Sequence, residues 1–289
     1  MAKHISKQKK EEIVSFYKKK PISIEEVSKK FGISNPSIIK ILNEYKVKRY
    51  TKVQLFSPDL DENYFKNIDN EYKAYFLGLI ITNGCIHYTK GKQPLVSLTL
   101  DQKDEYLLYE FKNQIKSNKK ITHDGRGCSE INILSEKMVN DLKQYGVIPN
   151  KSLHTIFPKN IPLHLYKDLI RGILDGDGSV SFYSRQNRRK SHIKAIRFWQ
   201  GNYKFLKDLI NFLYEQEDIA KINIYQEKEN LWSIAYRKNE SLIKLIKYIY
   251  SDANIYMTRK KHLCDLIYNE IYNNGNTEIT ISTKKGIVS

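Results

Sequence analysis

The pattern of hydrophobic and polar residues predicts a small helical module at the start of the chain. Ser23 and Glu26 form the sequence pattern of a capping box before an amphipathic helix. Gly32 marks a tight turn after that helix, and a further helix is predicted with Asn35 as its cap and Pro36 as its first residue. A helix, a glycine-containing turn and a second helix are the outline of a helix-turn-helix.

Two longer halves with the pattern of antiparallel sheets follow the module. In one segment Val96, Leu98 and Leu100 alternate with polar residues, so one sheet face is predicted to be covered by helices and the other to be open. Each half is predicted to run helix, two strands, helix, two strands, helix. The predicted strands are 85–90, 94–101, 119–123 and 129–135 in the first half, and 179–185, 193–199, 220–226 and 231–237 in the second.

Two short stretches far apart in the chain repeat one pattern. Phe76–Gly84 and Ile170–Gly178 are apolar runs with small residues four positions apart, and each ends in a carboxamide or carboxylate followed by glycine. Small residues at that spacing lie on one helix face and let a second helix approach closely. If the runs pack together, Asn83 and Asp177 emerge side by side, in a position suited to a divalent cation.

These runs resemble the two motifs of the double-motif LAGLIDADG homing endonucleases, and the likeness extends over roughly residues 60–272. Residues 24–42 resemble the helix-turn-helix family. The resemblance implies an α+β fold, in which two pseudo-symmetric αββαββα halves form antiparallel saddle sheets and a small all-α domain precedes them. The predicted domains are residues 1–50 (helix-turn-helix), 51–63 (basic linker), 64–160 (first half), 161–272 (second half) and 273–289 (flexible tail).

Composition supports a polyanionic partner. The chain has 49 Lys and Arg residues against 32 Asp and Glu, for a net charge of +17. Three scattered cysteines without CxxC spacing indicate neither a zinc site nor a disulfide framework, and fit a reducing compartment. No apolar run of membrane-spanning length or signal peptide is recognised. We therefore expect a cytoplasmic protein of a bacterium or phage, or a protein of an organelle.

The resemblance also implies the catalytic residues. In the family, the acid that ends each motif helix holds metal, so Mg²⁺ or Mn²⁺ is expected here. The predicted metal site consists of Asp177, Asn83, Gly176 and Thr82, and Asp175 is a weaker candidate. The predicted catalytic residues are Asp177, Asn83, the basic residues Lys151 and Lys260, and Gln102 and Gln200, which would orient water.

Side chains on the open sheet faces, the basic loops and the N-terminal module are predicted to contact DNA. They are Ser34, Asn35, Ser37, Lys40, Lys48, Arg49, Lys90, Lys92, Ser97, Thr99, Tyr183, Arg185, Arg188, Arg189, Lys190, Lys194, Arg197 and Arg237.

The predicted function is a monomeric, site-specific endonuclease that cuts a long asymmetric site in double-stranded DNA. Asn83 is the departure from the family pattern, because a carboxamide lacks the negative charge of an acid. It leaves open an enzyme that nicks one strand, a chain that has lost cleavage, and an introduced Asp→Asn substitution. Two other functions also stay open: a DNA-binding regulator derived from a decayed endonuclease, and an RNA intron maturase.

Overall fold

The computed structural model of the protein describes residues 5–51, 54–55, 57, 59–91, 93–149, 154–184 and 192–285, with side chains up to residue 273. The chain divides into two compact units. One consists of Met1–Asp61 with Ile115–Lys119, and the other of Glu62–Gln114 with Lys120–Ser289. Among the described residues, no helix combines the length and apolar character needed to span a membrane.

Three helices form a module in the first unit: α1 (Lys7–Lys18), α2 (Ile24–Phe31) and α3 (Asn35–Glu44). The predicted capping box of α2 is present, since Ser23 Oγ accepts from Glu26 N and the Glu26 carboxylate accepts from Ser23 N. Gly32 ends α2 with a φ of 65°, which glycine adopts at little cost. The core of the module consists of Ile13, Val14, Tyr17, Val27, Ile38, Ile41 and Leu42.

The start of α3 corrects one prediction. Ser34 is the N-cap, so Asn35 opens the helix and Pro36 follows it in the first turn. The Ser34 hydroxyl makes no capping bond and lies 3.0 Å from the Ser37 hydroxyl. Proline is tolerated here because the first backbone N–H groups of a helix have no partner within the helix.

The first half of the second unit has the predicted αββαββα order, and its antiparallel sheet has the strand order β1-β2-β4-β3. Asn70 caps the first helix by accepting a hydrogen bond from Lys73 N. The elements are α4 (Glu71–Asn83), β1 (Gly84–His87), β2 (Leu95–Asp101), α5 (Tyr106–Gln114), β3 (Thr122–His123), β4 (Cys128–Leu134) and α6 (Glu136–Lys143).

The second half repeats this order, with the sheet β5-β6-β8-β7. Its elements are α7 (Tyr166–Asp177), β5 (Ser179–Ser184), β6 (His192–Gln200), α8 (Tyr203–Glu217), β7 (Tyr225–Lys228), β8 (Leu231–Tyr236) and α9 (Asn239–Tyr250). Strand β7 begins later than the predicted residue 220. Ile222 and Ile224 alternate as in a strand, but pairing with β8 starts only at Tyr225, opposite Ser233.

Each sheet has one covered and one open face. In β2 the apolar residues Val96, Leu98 and Leu100 are buried, whereas Thr99 and Asp101 on the other face are partly or fully exposed. The predicted alternation is therefore confirmed at these five positions, whereas Ser97 on the open face is buried. Because directly paired residues of antiparallel strands lie on the same face, the register extends the assignment to the neighbouring strands.

A last helix, α10, runs from Thr258 to Lys285. The predicted flexible tail begins at residue 273, and the described helix extends through that position to Lys285. No proline lies between Asn273 and Lys285, so the strongest local stop signal for a helix is missing there.

Candidate functional site

The two motif helices, α4 and α7, contact each other through their glycines. A Cβ atom at Gly78 would lie 2.8 Å from Ile173 N. A Cβ atom at Gly172 would lie 3.1 Å from Gly78 Cα and would overlap the carbonyl oxygen of Tyr75. Only glycine fits at such distances, so the two backbones are in direct contact. This is the packing that the spacing of small residues predicted.

Asn83 and Asp177 occupy the same place at the ends of this helix pair, since each is the last residue of its motif helix. Asn83 Oδ1 is buried, and it accepts no hydrogen bond from the part of the chain that the structure describes. A Cβ at Gly176 would overlap this oxygen, so the absence of a side chain at Gly176 lets the Asn83 carboxamide pack directly against α7. Asp177 is exposed. The pair therefore offers one neutral and one anionic oxygen ligand.

An unsatisfied carboxamide oxygen at the end of one motif helix and an exposed carboxylate at the end of the other are ligands suited to a hard divalent cation. Mg²⁺ prefers oxygen ligands and commonly keeps several waters when only one or two side chains bind it. A buried acceptor without a partner costs free energy, and a cation would satisfy it. The described residues contain no group of three or more His, Cys, Asp or Glu side chains that could hold a metal. A cation here would therefore have few protein ligands and one negative charge.

Thr82 and Gly176, the other two residues predicted at the metal, lie against each other. A Cβ at Gly176 would overlap Thr82 Oγ1 as well as Asn83 Oδ1. The Thr82 hydroxyl lies 3.1 Å from Gly78 O and 3.0 Å from Leu79 O, so its hydrogen is directed back into its own helix. Thr82 thus shapes the end of α4.

Asp175 is fully buried inside the helix pair. Its carboxylate accepts hydrogen bonds from Tyr75 OH at 2.9 Å, Tyr250 OH at 3.2 Å and Met257 N at 2.7 Å. Burial raises the pKa of Asp175 to about 6, although the nearby Lys260 ammonium acts in the opposite direction. A carboxylate whose oxygens are enclosed in this way serves the packing of the helices.

Lys260, a predicted catalytic residue, is enclosed by backbone carbonyls. Its ammonium is buried and donates to the carbonyl oxygens of Leu174, Asp175 and Gly178 at 2.8, 2.6 and 2.7 Å. An ammonium has three hydrogens, so these acceptors use all of its donors. The last carbonyls of a helix lack partners within it, and Lys260 satisfies those of α7. Burial lowers the pKa of Lys260 to about 8.

Residues 254–260, which we call the clasp, join the first half to the C-terminal end of α7. Arg259 Nε donates to Asp104 Oδ2 at 3.0 Å, and Asp104 follows β2 of the first half. Thr258 N donates to Tyr106 OH at 2.7 Å, at the start of α5. The clasp therefore connects the first half to α7 of the second half.

Arg171 is a buried cation that the sequence analysis missed. Its guanidinium donates to Ile255 O at 2.8 Å and Ile249 O at 2.6 Å. The same group donates to Glu71 of the first motif helix at 2.7 Å and to Asp168 at 2.8 Å. The signal was present, because a cation inside the apolar run of a motif needs buried partners.

A cleft of about 400 Å³ opens beside Asp177. Thr155, Trp199 and Gln200 are among the residues that line it. Gln200 Oε1 accepts from Gly201 N at 2.9 Å. Of the two glutamines predicted to orient water, Gln200 therefore lies beside the candidate metal site.

The sequence suggested that Gln102 and Gln200 are equivalent residues of the two halves. The strand registers show that they are not. The strand registers make Leu98 the counterpart of Phe198, since each lies opposite the position that follows its motif helix. Gln102 therefore corresponds to Asn202, the N-cap of α8. Gln102 is exposed in the turn after β2, whereas Gln200 is buried within β6.

Ser97 also differs from its prediction as a DNA contact. It lies on the predicted face of β2 but is only 2% exposed. Its hydroxyl lies 3.4 Å from Cys85 O and 3.1 Å from His87 Nε2. Neighbouring side chains on the same face cover Ser97, so it does not present its hydroxyl to a ligand.

Lys194 was predicted to contact DNA from the open face, but it lies on the covered face of the second sheet. Lys194 pairs with Phe182 across β5 and β6, and has the same alternation as the buried residues Ile196 and Phe198. Its ammonium lies 3.0 Å from Glu270 of α10. Lys194 therefore holds the last helix against the sheet.

Arg197 has the opposite alternation and lies on the open face of this sheet. Its guanidinium lies 5.3 Å from the ring of Trp199 on the same face. Tyr183 is exposed on β5, Arg237 is exposed after β8, and Lys90 is exposed between β1 and β2. Five other predicted DNA contacts (Lys92, Arg185, Arg188, Arg189 and Lys190) lie outside the described residues, as does the predicted catalytic Lys151.

In the N-terminal module the predicted DNA contacts are surface residues. Ser34 and Asn35 are exposed at the start of α3, and Ser37 is half-buried in its first turn. The basic side chains of Lys40, Lys48 and Arg49 are also exposed.

Comparison with known proteins identifies the fold. No family model matches the chain, and no curated protein matches its sequence. Among solved structures, the LAGLIDADG meganuclease I-AabMI bound to uncleaved DNA matches with a TM-score of 0.52 at 14% identity. The match covers 71% of this chain and 92% of that one.

Two further structures give the same result. The meganuclease I-SmaMI, bound to uncleavable DNA, has a TM-score of 0.51 at 14% identity and covers 74% of this chain and 96% of its own. The LAGLIDADG homing endonuclease I-LtrWI, bound to target DNA, has a TM-score of 0.50 at 14% identity and covers 73% and 92%. The chain therefore has the fold of the LAGLIDADG endonucleases.

Proposed function

We propose that the protein is a site-specific endonuclease that hydrolyses phosphodiester bonds in double-stranded DNA with Mg²⁺ or Mn²⁺. The observation that carries the proposal is the glycine-packed pair of motif helices, which ends in Asn83 and Asp177. The net charge of +17 and the DNA-bound structures of the same fold support a DNA partner.

Asp177 and Asn83 would hold the metal ion, next to Gly176, against which the Asn83 carboxamide packs. A bound divalent ion supplies an activated water and neutralises charge that develops on the phosphate. Asp177 contributes the negative charge of the site. Lys260 holds the last turn of α7 through its carbonyls, and thereby fixes the backbone that carries Asp177. Gln200 lies in the cleft beside this carboxylate, where it would orient water.

The single carboxylate at the paired helix ends makes the two halves chemically unequal. A carboxamide offers an oxygen but no charge, so it binds Mg²⁺ more weakly than a carboxylate does. We infer that the protein cuts one strand faster than the other, and nicks DNA when the weaker position is unfilled. An Asp at position 83 would restore a symmetrical pair of acids.

The target is a long, asymmetric duplex. The two sheets carry different side chains at equivalent positions, such as Thr99 in β2 and Trp199 in β6, so they suit different base sequences. One chain contains both halves and binds as a monomer. The N-terminal module contacts additional base pairs as a helix-turn-helix. Such an enzyme belongs to a mobile element, within an intron or free-standing, in the cytoplasm of a bacterium or phage-infected cell or in an organelle.

Cleavage of a supercoiled plasmid library tests the proposal. The wild-type chain, Asn83→Asp and Asp177→Asn are each incubated with the library in Mg²⁺ or in EDTA. We expect nicked circles from the wild type, linear DNA from Asn83→Asp, and neither product from Asp177→Asn. Asn140→Asp, an exposed position on α6 with the same change of chemistry, is the matched control and should behave as the wild type.

Binding measurements separate this proposal from its rivals. Tight binding to a selected duplex, without cleavage by either the wild type or Asn83→Asp, would identify a binding-only regulator. Asn83 itself favours that second candidate, because one acid of the pair is missing. Higher affinity for structured RNA than for any duplex would instead indicate an intron maturase.

A further inference from the structure

The open face of the first sheet carries polar side chains that the proposed catalysis does not use. Thr99, Glu130 and Asn132, which we call the acceptor patch, lie on one face of β2 and β4. Thr99 is directly opposite Glu130 in the register, and Asn132 is two residues further along β4 on the same side. All three are partly exposed, so a ligand on this face would reach them.

The hydrogen bonds within the acceptor patch determine what it presents outwards. Thr99 Oγ1 donates to Glu130 Oε1 at 3.1 Å, and Asn132 Nδ2 donates to Glu130 Oε2 at 2.8 Å. An ionised carboxylate has no hydrogen, so both neighbours must be the donors, and this fixes the orientation of the Asn132 amide. The threonine hydrogen and one amide hydrogen are used internally. The outward groups are mainly lone pairs, with the carboxylate between them.

The second sheet differs at the equivalent positions. Its registers place Trp199 and Ser233 where the first sheet has Thr99 and Glu130. Arg197, a cation with several N–H donors, lies two residues before Trp199 on the same face. Within their bounds, strands β1 to β4 contain no Lys or Arg. The first sheet therefore presents acceptors without a Lys or Arg in its strands, whereas the second sheet presents the donors of Arg197 together with the carboxylate of Glu227, which accepts from Ser233.

Base edges in the major groove distinguish between these two kinds of surface. Guanine and thymine present acceptors there, which would face the Glu130 carboxylate without any hydrogen to share. Cytosine presents its 4-amino donor beside a C5–H, whereas the amino group of adenine stands next to the N7 acceptor. The remaining lone pairs of the Glu130 carboxylate lose their water when a base edge approaches, and a base that offers no donor leaves them unpaired, so the unfavourable pairings discriminate.

We infer that Glu130 is a specificity-determining residue that accepts a hydrogen bond from the 4-amino group of a cytosine in one half of the target site. This inference rests on the proposed function, because it requires the first sheet to lie in a DNA groove. Thr99 and Asn132 hold the carboxylate in place, so little side-chain freedom is lost when the base binds.

Selection from a randomised duplex library, with the full chain and Ca²⁺ in place of Mg²⁺, gives the first test. Wild type, Glu130→Gln and Glu110→Gln are selected in parallel and the bound duplexes sequenced. Glu110 lies on α5 and accepts a hydrogen bond from Gln114, so Glu110→Gln makes the same charge change away from the open face. We expect one base pair of one half-site to change from cytosine towards adenine with Glu130→Gln only, because glutamine pairs with adenine through N6 and N7.

A double-mutant cycle then tests the hydrogen bond itself. The cytosine identified by selection is replaced by pyrimidin-2-one, which lacks only the 4-amino group. We expect the wild type to lose about tenfold in affinity, and Glu130→Ala, already lacking the acceptor, to lose little more on the same replacement. Thermal unfolding of each variant, together with an unchanged consensus at all other positions, verifies that the sheet is folded.

The outcomes separate the inference from the function on which it rests. Selection of no duplex by the wild type would contradict the proposed function. A wild-type consensus that stays the same with Glu130→Gln, or equal losses for wild type and Glu130→Ala with pyrimidin-2-one, would overturn the role of Glu130 and leave the endonuclease proposal intact.

Discussion

At the scale of single residues, the second motif contains two acids with opposite environments. Asp177 is exposed at the end of α7, while Asp175 is enclosed by Tyr75, Tyr250 and the backbone of Met257. A helix turns about 200° over two residues, so these carboxylates point in nearly opposite directions. The preference for Asp177 over Asp175 as the metal ligand stays a prediction. Because Asp175 is enclosed, its pKa should make the stability of the protein depend on pH.

The pH dependence of stability should reveal the buried carboxyl of Asp175. Burial raises its pKa to about 6 from an ordinary value of 3.8, so the folded state binds the proton more tightly than the unfolded state does. Its contribution to stability is thus greatest below about pH 4 and is lost as the pH rises through 6. We expect the free energy of unfolding of wild type minus that of Asp175→Asn, measured with denaturant, to fall across this interval.

A difference that rises with pH would contradict this prediction. It would mean that the attraction of Lys260 and the three donated hydrogen bonds outweigh the cost of burying the charge. Asp265→Asn on α10 is a suitable control, because that carboxylate pairs with Lys261 at a half-buried position.

At the scale of elements, the packing of α4 against α7 brings the candidate site together. The contact depends on glycines, and their neighbours differ along the helix. Gly172 faces the backbone of the partner helix at Tyr75 and Gly78, which can move only together with the whole helix. Gly176 instead faces the side chains of Thr82 and Asn83. Substitutions at these two glycines should therefore affect different properties.

Gly172→Ala should destabilise the protein by about 3 kcal/mol or more, because its Cβ would overlap the Tyr75 carbonyl. Alanine has a higher helix propensity than glycine by about 1 kcal/mol, so any loss reports the steric overlap. Denaturant unfolding of the purified variant measures the effect. A variant as stable as the wild type would show that the helices separate without cost.

Gly176→Ala should reduce metal-dependent DNA cleavage more than stability. The added methyl group would displace Asn83 Oδ1 and Thr82 Oγ1, which are side-chain atoms that can rotate. We expect at least a tenfold slower single-turnover rate in the Asn83→Asp background, by comparison with the loss of one positioned catalytic group. Equal single-turnover cleavage rates with glycine and with alanine at position 176 would show that Gly176 does not contribute to the metal site.

At the scale of the whole molecule, the chain combines a three-helix module with a two-half unit under a large positive charge. The net charge of +17 favours association with DNA, but does not by itself locate the contacts. The clasp, residues 254–260, ties the two halves of the second unit into one structure through Arg259 and Asp104. The role of the module in the first unit needs a separate measurement.

Neutralising the basic residues of the N-terminal module should shorten the contacted DNA. Lys40, Lys48 and Arg49 are exposed, and each phosphate contact contributes about 0.9 to the slope of log affinity against log salt. For the triple alanine variant we expect a salt slope smaller by about two to three units and a shorter footprint, with the cleavage position unchanged. Binding is measured at several salt concentrations on one selected duplex.

A triple alanine variant in the second unit loses the same three positive charges and serves as the control. Lys66, Lys137 and Lys143 are exposed, and the last two lie on α6. This control should leave the footprint unchanged. If both triple variants gave the same footprint and the same salt slope, the module would be a structural cap without DNA contacts.

The sequence by itself determined the local elements and the packing of the two motif helices. Serine and glutamate at capping spacing fixed the start of α2, and glycines four residues apart identified the face by which α4 and α7 pack. Alternation in β2 separated its covered face from its open one. These features depend on neighbours within a few residues, so periodicity and backbone preference are sufficient to predict them.

Only the tertiary structure decided what the polar side chains bind. Lys260 caps a helix more than 80 positions earlier in the chain, Lys194 pairs with Glu270, and Arg171 joins both motif helices. Long polar side chains reach whatever acceptors the fold brings near, and a buried charge must find partners there. Sequence distance says nothing about such neighbours. The capping contacts of Lys260 were therefore not predicted and its catalytic role stays a prediction, while the end of the helix that it caps was correctly identified.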